Sequence, residues 1–151
     1  MSASAHRIND AVIFRSTKFS LEPPLSERGV AYDLPLGDDL AEFLVGSIHS
    51  AHPAIQHSPV VREDFGSVVD VKLDGRTYCL TVTWIADREH EDRWAIQFSQ
   101  PIGFLGFIFA RKSHPESCGD AQNLVAEVLC RHPDVFTEIE WLSQEQFNKR
   151  V

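Results

Sequence analysis

The stretch from Ser67 to Ala86 leaves this chain the least freedom. Ser67 to Leu73 alternates, with Val69, Val71 and Leu73 on one side, and Asp74-Gly75 follows at once. Arg76 to Ala86 alternates again, placing Tyr78, Leu80, Val82, Trp84 and Ala86 on one face and Thr77, Cys79, Thr81 and Thr83 on the other. A period of two sends successive side chains to opposite faces of a sheet, and a two-residue Asp-Gly link is a strong antiparallel hairpin signal. Trp94, Ile96 and Phe98 repeat the inward pattern, so residues 67–99 are expected to form a three-stranded meander with one apolar and one polar face. Between its second and third strands, Asp87 to Arg93 is all charge or histidine and reads as a solvated loop.

The apolar face of such a meander needs a second layer. From Asp38 or Asp39 as cap, Leu40, Phe43, Leu44, Ile48 and Ala51 recur at three and four, which predicts a helix to about Ala51. Asp120 as cap, with Ala121, Leu124, Val125, Val128 and Leu129 behind it, predicts a second. Leu105 to Arg111, entered through Gly103 and Gly106 after Pro101, reads as a strand buried on both sides. Val135 to Trp141 alternates as a last strand, with Phe136, Glu138 and Glu140 opposed to Val135, Thr137, Ile139 and Trp141. Ser143 to Gln146 has the form of a capping box and predicts a short C-terminal helix.

Residues 1–37, punctuated by Pro23, Pro24, Gly29, Pro35 and Gly37, are expected to be irregular, with one candidate strand over Ala11 to Phe19. Residues 38–151 then form a single domain. The expected fold is α+β: a two-layer arrangement with an antiparallel sheet of four to five strands, two main helices packed on one face, and the short terminal helix.

A chain of 151 residues, 43% apolar and 24% charged, can bury a core without metals or disulfides. Its 14 basic against 22 acidic side chains give a formal charge of −8, which disfavours nucleic acid and anionic membrane surfaces as partners. The longest apolar run, Ile102 to Ala110, falls well short of the ~20 residues of a membrane span. The first residues lack the layout of a secretory signal, and three cysteines cannot all pair within one chain, so a cytoplasmic protein with reduced thiols is expected. Charge is unevenly spread: residues 1–20 carry +2, residues 21–64 carry −6, and each of 65–100 and 101–151 carries −2. The acidic stretch is the main source of a directional field.

Several constellations hold chemistry-bearing side chains. His49, His52 and His57 precede Glu63 and Asp64, but their spacing matches no standard ligand pattern. His52-Pro53 and His132-Pro133 both follow a predicted helix, where proline disfavours helical geometry in the preceding residue and imidazole suits a C-terminus, so a helix stop is the preferred reading. His114, Cys118, Cys130 and His132 contain zinc-ligand types in an H-x3-C, C-x-H arrangement that fits structural zinc only in part. Cys118 with His114 could form a thiolate and base, although no orienting third residue is evident. Glu138 and Glu140, two apart on a strand, would share a face as an acid and base pair, or simply be solvated. Phosphate-cradling and nucleophile-elbow motifs are absent, and no cofactor is implied.

The run Pro101 to Phe109 is read as a buried strand in preference to an interface, and Trp84, Trp94 and Phe98 as core in preference to a ligand pocket. What remains is binding. The open sheet face would show Thr77, Thr81, Thr83, Gln97, Ser99, Glu138 and Glu140, and the element order and acidity resemble those of small bacterial accessory proteins such as secretion chaperones and toxin-immunity proteins. That resemblance implies a non-catalytic role gripping another protein; from the charge distribution itself, the partner is expected to carry a basic patch, with Glu42, Glu63, Asp64, Glu138 and Glu140 as contacts. Self-association as a homodimer, through a sheet edge or residues 102–109, is the secondary expectation. A Cys/His-dependent enzyme or a metal- or ligand-binding domain centred on Cys118 is the alternative.

Overall fold

A computed structural model describes residues 11–100 and 118–150. The Asp74-Gly75 turn has φ of 49° and 79°, the double left-handed geometry that a two-residue hairpin requires. It joins β4 (Gly66–Leu73) to β5 (Arg76–Trp84), and β6 (Arg93–Ser99) continues the meander. The register pairs Val69 with Leu80 and Val82 with Ile96, so the expected inward residues do meet on one face.

The fold is α+β with an open antiparallel sheet, but the described residues contain seven strands instead of four to five. One strand beyond the meander was expected in outline, and two more were invisible to periodicity. The first, β1 (Ala11–Arg15), stops before the expected Phe19, and it lies between β6 and the last strand, β7 (Thr137–Leu142). Two very short strands, β2 (Gln56–His57) and β3 (Val61–Glu63), pair with β4 at the far edge. The sheet order is β2-β4-β5-β6-β1-β7, with β3 beside β4. The strand expected at Leu105–Arg111 falls outside the described residues.

Helix α1 spans Asp38–Ala51 and α2 spans Gly119–Arg131. Neither expected aspartate cap is formed. Gly37 precedes α1 at φ 68°, where a Cβ would come within 2.8 Å of Trp94 and Val82 side-chain atoms, so glycine is required for close approach as well as for its backbone. Asp39, inside the first turn, accepts the Leu40 amide at 2.9 Å with one oxygen and the Ser20 amide at 2.8 Å with the other, tying the N-terminal segment to the helix. Cys118 sits at the start of α2 without a side-chain cap bond, and Asp120 lies inside the first turn, where its charge suits the helix dipole. The capping box does form: the Gln146 amide donates to Ser143 Oγ at 3.2 Å and the Ser143 amide to Gln146 Oε1 at 3.0 Å, starting α3 (Gln144–Arg150).

The main core joins Leu40, Leu44 and Ile48 of α1, Val125 and Leu129 of α2, and alternate sheet residues such as Val12, Phe14, Leu80 and Ile96. Phe14, Phe19, Phe43 and Phe136 add edge-to-face and stacked rings with centroids 5.1 to 6.1 Å apart. The intervening residues of β1 and β6 are buried too. Ala11, Ile13 and Ala95 pack with Ile85, Leu142 and Phe147 of α3 in a second cluster, so part of the face expected to be open is closed. Residues 11–37 are integral to this packing: the buried Ser67 hydroxyl donates to the Leu36 carbonyl at 2.9 Å.

Candidate functional site

The five acidic candidates do not form one surface. Glu42, exposed on α1, and Glu63 and Asp64, at the β3–β4 turn, lie toward one edge of the sheet, whereas Glu138 and Glu140 lie on β7 at the other. Five strand steps separate β3 from β7, roughly 24 Å at a spacing of about 4.8 Å.

The far pair is already engaged. Arg15 forms a fork with Asp92, at 3.0 and 3.3 Å, and reaches Glu138 at 2.9 Å. Glu140 pairs with Arg150 at 2.6 Å. Glu138 has φ 50° where the β1–β7 register slips between Ile13 and Arg15, a bulge that breaks the alternation expected to align the two carboxylates. Each carboxylate answers to its own arginine.

Arg15 also organises the 87–93 loop, which is more than a solvated turn. Its hydrogen bond to Asp92 holds that carboxyl below the usual carboxylate range, outweighing the opposing effect of desolvation. The Glu89 amide donates to Asp87 at 2.9 Å and, with the Arg93 charge, lowers the Asp87 carboxyl too. Trp84 Nε1 donates to the Glu91 carbonyl at 2.7 Å. Trp84 lines an open depression of about 660 Å3 with Leu21, Pro35 and Ala86. Trp94 is fully buried and Phe98 stacks on Trp141 at 5.9 Å, so the two pack as core.

The Cys/His set is dispersed. Cys118 is buried at the start of α2, while Cys130 is exposed and His132 caps the other end. Thirteen helical residues at about 1.5 Å each place Cys118 about 20 Å from His132, which overturns a single zinc site built from both. His114 lies outside the described residues. His49 is exposed on α1, His52 Nε2 lies 3.2 Å from both oxygens of Glu127 on α2, and His57 Nδ1 lies 2.8 Å from the Ser58 carbonyl. Among the described residues no three His, Cys, Asp or Glu side chains gather as a metal ion would need. His52 and His132 both leave helical geometry immediately before proline, with φ of −136° and −125°, and His132 packs edge-on against Phe43 at 5.0 Å.

On the polar sheet face, Thr81 lies opposite Gln97, Cys79 opposite Ser99 and Asp70, and Thr77 opposite Lys72. Burial pushes the Cys79 thiol up, aided by the Asp70 charge, against hydrogen bonds from Thr81 and Ser99 that lower it. It rests as a thiol, not a nucleophilic thiolate.

The near edge carries what sequence reasoning missed. Leu25 is 59% exposed, Val30 65%, Val61 51% and Phe65 51%. Arg62 donates to the Leu25 carbonyl at 3.1 Å and to Asp38 at 2.8 Å, which lays the 25–31 hairpin against β3 and the start of α1. Glu42 and Val61 line a depression of about 490 Å3; Asp64 and Val30 line an adjoining one of about 340 Å3, and both include Ser26 and Tyr32. The signal was apolar residues scattered through a proline- and glycine-rich segment beside the acidic run. No period marks such residues as surface or core.

No family model, curated protein or solved structure matches the chain. No helix among the described residues is long and apolar enough to cross a membrane.

Proposed function

We propose that this protein is a non-catalytic binding module: a cytoplasmic, bacterial accessory protein of the immunity or chaperone kind that grips a protein with a basic patch. In this reading α1 and α2 lie together on one sheet face as the rigid support, and Glu42, Glu63 and Asp64 supply the charge. Glu138 and Glu140 serve the fold through Arg15 and Arg150. The observation that carries the reading is that the unclaimed carboxylates of Glu42 and Asp64 line two adjoining depressions, with Glu63 next to Asp64 in the chain. Buried Cys118 and its separation from Cys130 and His132 remove support from the Cys/His alternative.

The test is affinity capture from the native host at low and high salt, using the wild type and the triple variant E42K/E63K/D64K. A partner held by the wild type, weakened by salt and lost from the variant is the expected result. Equal recovery by both proteins, or recovery of no partner at any salt concentration, overturns it.

A further inference from the structure

We infer that the corner made by the 25–31 hairpin, β3 and the β3–β4 turn is itself the docking site, and that it takes a segment of another protein combining basic and apolar side chains. The inference rests on the binding-module reading and names that module's occupant.

Leu25, Val30, Val61 and Phe65 are four of the six exposed large hydrophobic residues found among the described residues. Isolated exposed hydrophobics need no explanation, but a concentration of them marks an interaction surface. Here the concentration is built: the Arg62 bridge holds the hairpin in place, and the two depressions that Val61 and Val30 line share Ser26 and Tyr32.

The electrostatics choose the partner. Residues 25–42 and 61–65 together contain seven carboxylates against two guanidinium groups, a formal −5, and one of those two, Arg62, is committed to Asp38. A second copy offering the same corner would set like charge against like in a two-fold contact. A segment with lysine or arginine between apolar side chains would neutralise the rim while filling the depressions. The backbone edge contributes little, because β2 and β3 have two and three residues, and Pro53 and Pro59 interrupt the approach. Recognition therefore runs through side chains and not through an added strand.

The probe is a synthetic peptide of alternating lysine and leucine, titrated into the full chain and followed by backbone amide NMR. All-lysine and alternating glutamate-leucine peptides are run beside it. The expected result is shifts concentrated at Leu25, Val30, Val61 and Phe65, absent with the glutamate peptide, with affinity reduced about tenfold in V61S/F65S and in E63K/D64K. Both pairs are exposed, and unchanged circular dichroism verifies folding. Shifts centred elsewhere, equally tight binding of the all-lysine peptide, or a doubled mass in light scattering with shifts at this corner before peptide is added each overturn the proposal. In the capture experiment, a partner lost from E42K/E63K/D64K yet retained by V61S/F65S retires this corner and keeps the binding module. Capture of no partner retires both.

Discussion

Replacing Gly66 with alanine tests how tightly the docking corner is anchored to the sheet. A Cβ at Gly66 would stand 2.0 Å from the Val82 carbonyl oxygen and 3.1 Å from its carbon, both backbone atoms that no rotamer change can move. Restoring an ordinary contact of at least 3.0 Å requires the start of β4 to retreat by about 1 Å from β5. Overpacking costs about 1–3 kcal/mol, and each weakened ladder hydrogen bond adds about 1 kcal/mol, so the change should cost about 3 kcal/mol. For a chain of this size that lowers Tm by about 6–12 °C. Gly46 is the internal control: it lies within α1 with nothing within 4 Å of its would-be Cβ, so alanine there should stabilise by about 0.5–1 kcal/mol. Thermal melts of the two variants should move in opposite directions. A G66A melt within about 2 °C of wild type would refute the claim that close backbone approach fixes this hairpin.

Asp92, its folded carboxyl held low by Arg15, contributes stability that is fully present above the ordinary carboxylate range near pH ~4 and is lost as pH falls through the depressed folded value. The Tm gap between wild type and D92N should therefore be widest at neutral pH and narrow on acidification; a gap constant with pH would count against the Arg15 fork. Under native conditions a thiol reagent should modify Cys130 rapidly, Cys79 slowly, and Cys118 only after unfolding; a Cys118 reacting as fast as Cys130 would contradict its burial. S143A removes one half of the reciprocal cap and should cost about 1 kcal/mol, read by urea denaturation, with hydrogen exchange rising first in 144–150. Exchange spread evenly over the chain would show that α3 is not a separately anchored element.

The meander was legible because each of its signals is local. Alternation assigned Tyr78, Leu80 and Val82 to one face and Thr77 and Thr81 to the other, and Asp74-Gly75 fixed the turn between them. Ser143 and Gln146 likewise carry their cap within four residues. Gly37 hid its role, since the need for glycine comes from Trp94, far along the chain. Of the candidate site, Glu42 and Asp64 were readable as unclaimed charge. Glu138 and Glu140 were not readable as structural, because Arg15 and Arg150 meet them only through strand pairing and the last helix.

The sequence by itself determined the periods, the hairpin, the helix stops at His52 and His132 and the negative sign of the field. Each depends on neighbours a few residues away or on a sum over the chain. Tertiary structure alone decided that β1 slips between β6 and β7, that the acidic residues part into a neutralised edge and an unclaimed one, and that Leu25 and Val30 come to rest beside β3. Periodicity states which face a residue turns inward. Which strand lies next to it depends on long-range contacts that no local pattern encodes.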